Sequence, residues 1–319
     1  DLTDDENLKE EEKRMHSGVG RIAPMRMRTM SLWESKESNG KVSLASLFEG
    51  DADVAAISDL TIEGLAYATC RGGWPASTKL KEKAALRVAR NYVEEVINYD
   101  VHRVDGVDKN TTRVRKLLES YARNISTMAA NETIMADVRA TDQTISPNTF
   151  AIYLSALRRI FIVDDVPAWS PALRSKTKIR TSPKRHFVDP SIAVALMGTN
   201  PQGLLKDFPT FGFLFEDLCA RDLRVYAQAL DGEVYHYRDK NELECDLVVA
   251  LRDGRWGAVE VKLGKNEGED AAKHLIELSE NIDNQRMKSP SFLMILTAGQ
   301  YAYRRTDGVY VVPIGCLKD

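Results

Sequence analysis

The chain has 319 residues, 43% hydrophobic and 29% charged, the balance of a globular protein long enough for two or three domains rather than of a disordered one. A net charge of -3 and a pI near 6.1 exclude a basic field over the whole molecule, so any nucleic acid must be met by a local patch. Cys70, Cys219, Cys245 and Cys316 stand far apart without a CxxC pair, which fits neither a disulfide framework nor a zinc cluster and predicts a reduced, cytoplasmic setting.

The chain begins Asp1-Leu2-Thr3, with neither Met nor signal-peptide character, and reads as a processed, cloned or truncated piece. No apolar run approaches the roughly 18 residues of a membrane helix, so no membrane partner is expected. Residues 1–16 read as a charged surface helix, and the alternation Met25-Arg26-Met27-Arg28-Thr29-Met30 as a strand. Residues 36–52 read as loop. Two short helices are expected between Asp53 and Cys70, stopped by Gly72-Gly73 and Pro75, and a long helix over 79–104. In the segment from Thr111 to Asp137, Val114, Leu117, Leu118, Tyr121 and Ile125 recur at helical spacing. After a turn at Thr141-Asp142-Gln143, Ser146 is a good N-cap and Pro147 a good first helical residue, with Tyr153, Leu154 and Leu157 as the buried stripe. Ile160-Phe161-Ile162-Val163 then reads as a strand. Helix, turn, helix, strand is the order of a winged helix, and the basic run from Arg174 to Arg185 is expected to hold its wing and a linker.

His186-Phe187-Val188 is expected as a short strand, and Asp189-Pro190 as the start of a helix. A helix over 207–223, strands over 233–238, 243–251 and 255–263, a helix over 270–285 and strands over 292–297 and 308–313 follow. The fold class is therefore multidomain α/β: a helical and winged-helix middle region, then an αβββαβ domain. The divisions expected are 1–52, 53–110 (a helical linker region), 111–183 (winged helix) and 184–319.

Glu260 and Lys262 alternate onto one face of their strand. A two-residue turn at Asp253-Gly254 would set Asp246 opposite Val261. A three-residue loop Arg252-Asp253-Gly254 sets Asp246 opposite Glu260, and Gly254 supplies the left-handed residue that this loop wants. Two carboxylates side by side need a proton or a cation between them, and an oxygen-rich site suits Mg²⁺ or Mn²⁺. Glu216, from the helix before the sheet, completes the expected metal set Glu216, Asp246 and Glu260, with Gly212 one turn earlier allowing close backbone approach. Lys262 would orient an attacking water or stabilise developing phosphorane charge. The bland alternative is a charged strand face.

This layout, with Asp246 fourteen residues before Glu260, resembles the PD-(D/E)XK phosphodiesterases, which implies a restriction-endonuclease-like fold, with Glu216, Asp246, Glu260 and Lys262 as the catalytic set of a Mg²⁺-dependent DNA endonuclease. On the winged helix, Asn148, Thr149, Arg158 and Arg159 would meet a duplex, and Arg174, Lys176, Lys178 and Arg180 its phosphates. The alternative there is a scaffold that docks a protein partner, with solvated basic loops.

A second resemblance spans nearly the whole chain. Gly20-Arg21, Met27-Arg28-Thr29-Met30-Ser31-Leu32-Trp33-Glu34, Arg71-Gly72-Gly73-Trp74-Pro75 and His186-Phe187-Val188-Asp189-Pro190 resemble successive signatures of AAA-type ATPases that carry a C-terminal domain of unknown function numbered 4143. Thr29 departs from the proline usual in that family. The resemblance makes residues 1–52 the remnant of an ATPase domain and gives Arg21 two readings, an arginine facing ATP or a plain surface arginine. No GxxxxGK[ST] occurs, so ATP is expected in the intact parent protein and not in this chain. Ile160 to Asp165 imitates a Walker B strand, but without a P-loop upstream it reads as part of the winged helix.

Overall fold

Helix boundaries follow the side chains that cap them. In the computed structural model, which describes residues 25–50, 54–104, 109–140, 142–170, 181–239, 242–264, 268–282 and 288–319, Ser43 caps α1 (Leu44–Glu49) and Thr61 caps α2 (Ile62–Arg71). α3 (Glu82–Glu95) passes through a wider π turn at Val96–Asp100 into the short α4 (Val101–Arg103), so the helix expected over 79–104 is interrupted. α5 (Thr111–Arg123) starts at Asn110, and α6 (Asn131–Arg139) follows. α7 (Pro147–Arg159) begins as expected, with Ser146 Oγ accepting from the Thr149 N–H at 3.0 Å. Asp189, Asn200 and Asp207 cap α8 (Pro190–Met197), α9 (Pro201–Lys206) and α10 (Phe208–Ala229), each with proline in the first turn.

Two expected strands take other forms. Ile160 ends α7 and Phe161 has φ +60°, a left-handed residue that cannot continue a strand. Val163 instead bridges Phe187 and Val166 bridges Lys184, both antiparallel, giving an irregular two-armed ribbon rather than regular strands. Met25 to Met30 has no strand partner among the described residues. Its alternation is real but inverted: Arg26 and Arg28 turn in to Asp164, while Met25 and Met27 are 84% and 93% exposed. β1 (Val42–Ser43) and α1 occupy part of the expected loop, and β2 (Ala56–Ile57) replaces the first of the two expected short helices.

The chain is α/β with a seven-stranded mixed sheet. β3 (Gly232–Arg238), β4 (Glu244–Leu251) and β5 (Trp256–Lys262) form an antiparallel meander. After α11 (Gly268–Asn281), β6 (Phe292–Thr297) joins β5 in parallel. β8 (Tyr310–Pro313) pairs in parallel with β6 and antiparallel with β7 (Tyr301–Arg304), which the sequence reading missed. The order is β2-β7-β8-β6-β5-β4-β3, and β9 (Leu317–Lys318) returns to pair with β1. Leu247, Val249, Val259, Val261, Met294 and Leu296 pack with α10, whereas Val248, Ala258 and Ile295 pack with α11. Both faces of the central strands are thus covered, which is why they read as continuous apolar runs. The first arm of the ribbon extends this sheet: Ala168 bridges His236 of β3 in parallel, and Trp169 stacks on Trp256 at 4.7 Å.

Three of the signature stretches of the sequence, those at 27–34, 71–75 and 186–190, meet around one buried arginine. Arg221 of α10 pairs with Asp189 at 3.1 Å and Asp222 at 2.6 Å. Asp222 accepts the Leu32 N–H at 3.0 Å, and Asp189 the Gly73 N–H at 2.8 Å. A Cβ on Gly73 would lie 2.0 Å from the Met30 carbonyl oxygen, so that position requires glycine.

Candidate carboxylate and lysine site

The β4–β5 hairpin sets the site. Leu251 N–H donates to the Arg255 carbonyl at 2.8 Å across a three-residue loop, and Gly254 has φ +88°. Leu247 pairs with Val259, and continuing that register places Asp246 opposite Glu260. Glu260 and Lys262 share the strand face of Ala258, the α11 face. Glu216 comes from α10, on the other face of the sheet. Gly212 has nothing near its Cβ position, so no close backbone approach brings the helix in there, in contrast to the expectation.

Lysines join the carboxylates, and Glu260 also shares a side-chain hydrogen bond with Asp246. Lys184 Nζ donates to Glu216 Oε1 at 2.7 Å and to Asp246 Oδ1 at 3.1 Å. Lys262 Nζ lies 3.1 Å from Glu260 Oε2 and 3.9 Å from Asp246 Oδ2. The result is a row in which carboxyl and ammonium groups alternate: Glu216, Lys184, Asp246, Lys262, Glu260. Val261 N–H donates to Asp246 Oδ2 at 2.9 Å. Sequence reasoning counted Lys184 and Arg185 in the basic run of a wing. Both are buried, however, because the second arm of the ribbon turns them inward. The only local signal was the alternation Lys184, His186, Val188 beside Pro183, which marks the arm but not its destination.

Burial, and then the Asp246 charge, push Glu260 up to about 8. Burial pushes Glu216 up to about 7 against the pull of Lys184. For Asp246 burial works the same way, yet Lys184, Lys262 and the Val261 N–H outweigh it and hold the carboxyl below its usual value. Lys184 is raised despite burial by Glu216 and Asp246. At neutral pH the row is close to neutral, with Glu260 largely protonated.

Among the described residues, no group of three or more His, Cys, Asp or Glu is arranged to hold a metal ion. The donor set explains this, since Glu216 and Asp246 already face an ammonium. A dication about 4 Å from that ammonium would meet on the order of 8 kcal/mol of repulsion at an effective dielectric of 20. The site opens into a cavity of about 460 Å³ whose lining adds Asp239, Glu242, Glu244, His274 and Glu277.

The remaining candidates are dispersed. Asn148 is exposed on α7, and Thr149 is tied to the Ser146 cap. Arg158 pairs with Asp165 at 2.8 Å, and Arg159 is exposed. Asp165 also accepts from Tyr121 and Arg185, while Asp164 is enclosed by Arg26, Arg28 and Arg224, so the Walker-like pair is neutralised by arginines. Arg21, Arg174, Lys176, Lys178 and Arg180 lie outside the described residues. No helix of the described residues is long and apolar enough to cross a membrane.

Residues 62–203 match the model of a family described as Domain of unknown function (DUF8612), and residues 211–317 match that of Domain of unknown function (DUF4143). The latter agrees with the C-terminal domain expected from the sequence, and its match begins within α10, just before Glu216. No curated protein and no solved structure matches the chain.

Proposed function

We propose that the chain is the carboxy-terminal region of an AAA-type ATPase and works as a DNA-associated regulatory module that does not hydrolyse ATP by itself. The DUF4143 match over 211–317 supports membership of such a protein. The observation that carries the module is the order α5, α6, α7 and then an antiparallel ribbon, which is that of a winged helix. In it, α7 offers Asn148 and Arg159 to the duplex. The segment joining the arms carries Arg174, Lys176, Lys178 and Arg180 in its sequence.

The order α10, β3, β4, β5, α11, β6 supports a restriction-endonuclease-like second domain. Fold alone does not assign cleavage. The acidic rim repels a polyanion, and the lysine between Glu216 and Asp246 leaves no open cation position. Glu260 and Lys262 on one strand face favour a second reading, a Mg²⁺- or Mn²⁺-dependent endonuclease. Plasmid incubated with either ion, beside Glu260→Ala, separates the two: equal nicking by both proteins removes the nuclease.

Anisotropy of a labelled duplex tests the module. Binding should weaken steeply with salt, and replacing the four basic residues of 174–180 by alanine should flatten the log–log slope by up to about 0.9 per contact. Salt-insensitive binding, or none at low salt, would leave a protein-docking scaffold instead.

A further inference from the structure

We infer that the ammonium of Lys184 is the resident cation of the carboxylate site, standing where a nuclease-like fold would hold a divalent metal, so that this site is held together without Mg²⁺ or Mn²⁺. The inference rests on the nuclease-like reading of the sheet domain and not on duplex DNA being the partner.

A divalent ion shared by Glu216 and Asp246 would sit about 2.0–2.6 Å from an oxygen of each. The space between those oxygens is the space that Nζ fills, at 2.7 and 3.1 Å. Lys184 is fixed there by its backbone: its N–H donates to the Val166 carbonyl at 3.0 Å, and its carbonyl accepts the Val166 N–H at 3.0 Å. Its side chain is 7% exposed. Both oxygens of Asp246 are engaged, Oδ1 by the Lys184 ammonium and Oδ2 by the Val261 N–H. The counter-charge is therefore supplied from outside the αβββαβ order, by the ribbon that joins the helical region to the edge of the sheet. An ammonium offers hydrogen-bond donors but no coordination position for a water or a phosphoryl oxygen, so it neutralises the carboxylates without supplying Lewis-acid chemistry.

Mn²⁺ titration of the intact chain, followed by electron paramagnetic resonance of free Mn²⁺ together with thermal denaturation, tests the assignment. The wild type should show no saturable binding at this site and no Mn²⁺-dependent rise in Tm. Lys184→Ala should bind one equivalent with affinity at least about tenfold above the wild type, gain Tm on addition of Mn²⁺, and lose both effects when Asp246→Asn is added. One equivalent bound by the wild type and abolished by Asp246→Asn overturns the inference. So does a folded Lys184→Ala that binds none. If Lys184→Ala does not fold in metal-free buffer, recovery of folded protein with Mn²⁺ supports the inference and failure to recover overturns it. The nuclease-like reading fails separately, if Glu216, Asp246 and Glu260 prove remote from one another in a solved structure.

Discussion

Replacing Arg221 by Met would remove the one guanidinium that serves two fully buried carboxylates. Arg221 is 2% exposed, and Asp189 and Asp222 are each 0% exposed. Breaking a buried pair from one side costs about 3–5 kcal/mol, a large part of the roughly 5–15 kcal/mol that holds a domain together. Burial already pushes Asp222 up, so with the arginine gone a carboxyl takes a proton and limits the loss to that range rather than a multiple of it. With unfolding entropy near 2.1 cal/mol/K per residue, the change is about 5–8 °C in Tm for a chain of this length. Urea denaturation and calorimetry measure it. Hydrogen exchange should speed up at the Leu32 and Gly73 amides, whose acceptors are Asp222 and Asp189. A loss below about 1 kcal/mol, with both amides protected as in the wild type, would refute the view that this arginine fastens the two loops.

Gly73→Ala meets the Met30 backbone and should cost at least about 1–3 kcal/mol, read as a lower urea midpoint; an unchanged midpoint would mean the contact relaxes freely. pH acts through Glu260 and Glu216. Their folded values, about 8 and about 7, lie above the ordinary 4.5 of a glutamate, so their contribution is fully present below 4.5 and is lost as pH rises through the folded ones. Tm should therefore fall between about pH 4.5 and 8 and level off above, and Glu260→Gln should flatten that fall; an equally steep profile in the variant would remove Glu260 as its source.

The carboxylate hairpin was legible because its information is local. Gly254 dictates one loop, the loop dictates register, and period-two alternation then places Glu260 with Lys262. The caps at Ser146 and Asp189 were legible for the same reason, since each side chain bonds a backbone N–H within three residues. Met25 to Met30 misled because alternation reports that two faces differ, not which of them is inside; Asp164, far along the chain, draws the arginines in. β7 escaped notice because only one of its four residues is buried, so its pattern is that of a loop.

By itself, then, the sequence determined the order α10, β3, β4, β5, α11, β6, the hairpin register and the residues around Glu260. Only the tertiary structure decided what neutralises them. Lys184 stands 32 residues from Glu216, with α8, α9 and the start of α10 between, and 62 from Asp246, with all of α10 and β3 between as well. No periodicity spans that distance. Its ammonium reaches the site because two backbone hydrogen bonds to Val166 fix the ribbon, and because three buried carboxylates are costly without a cation among them.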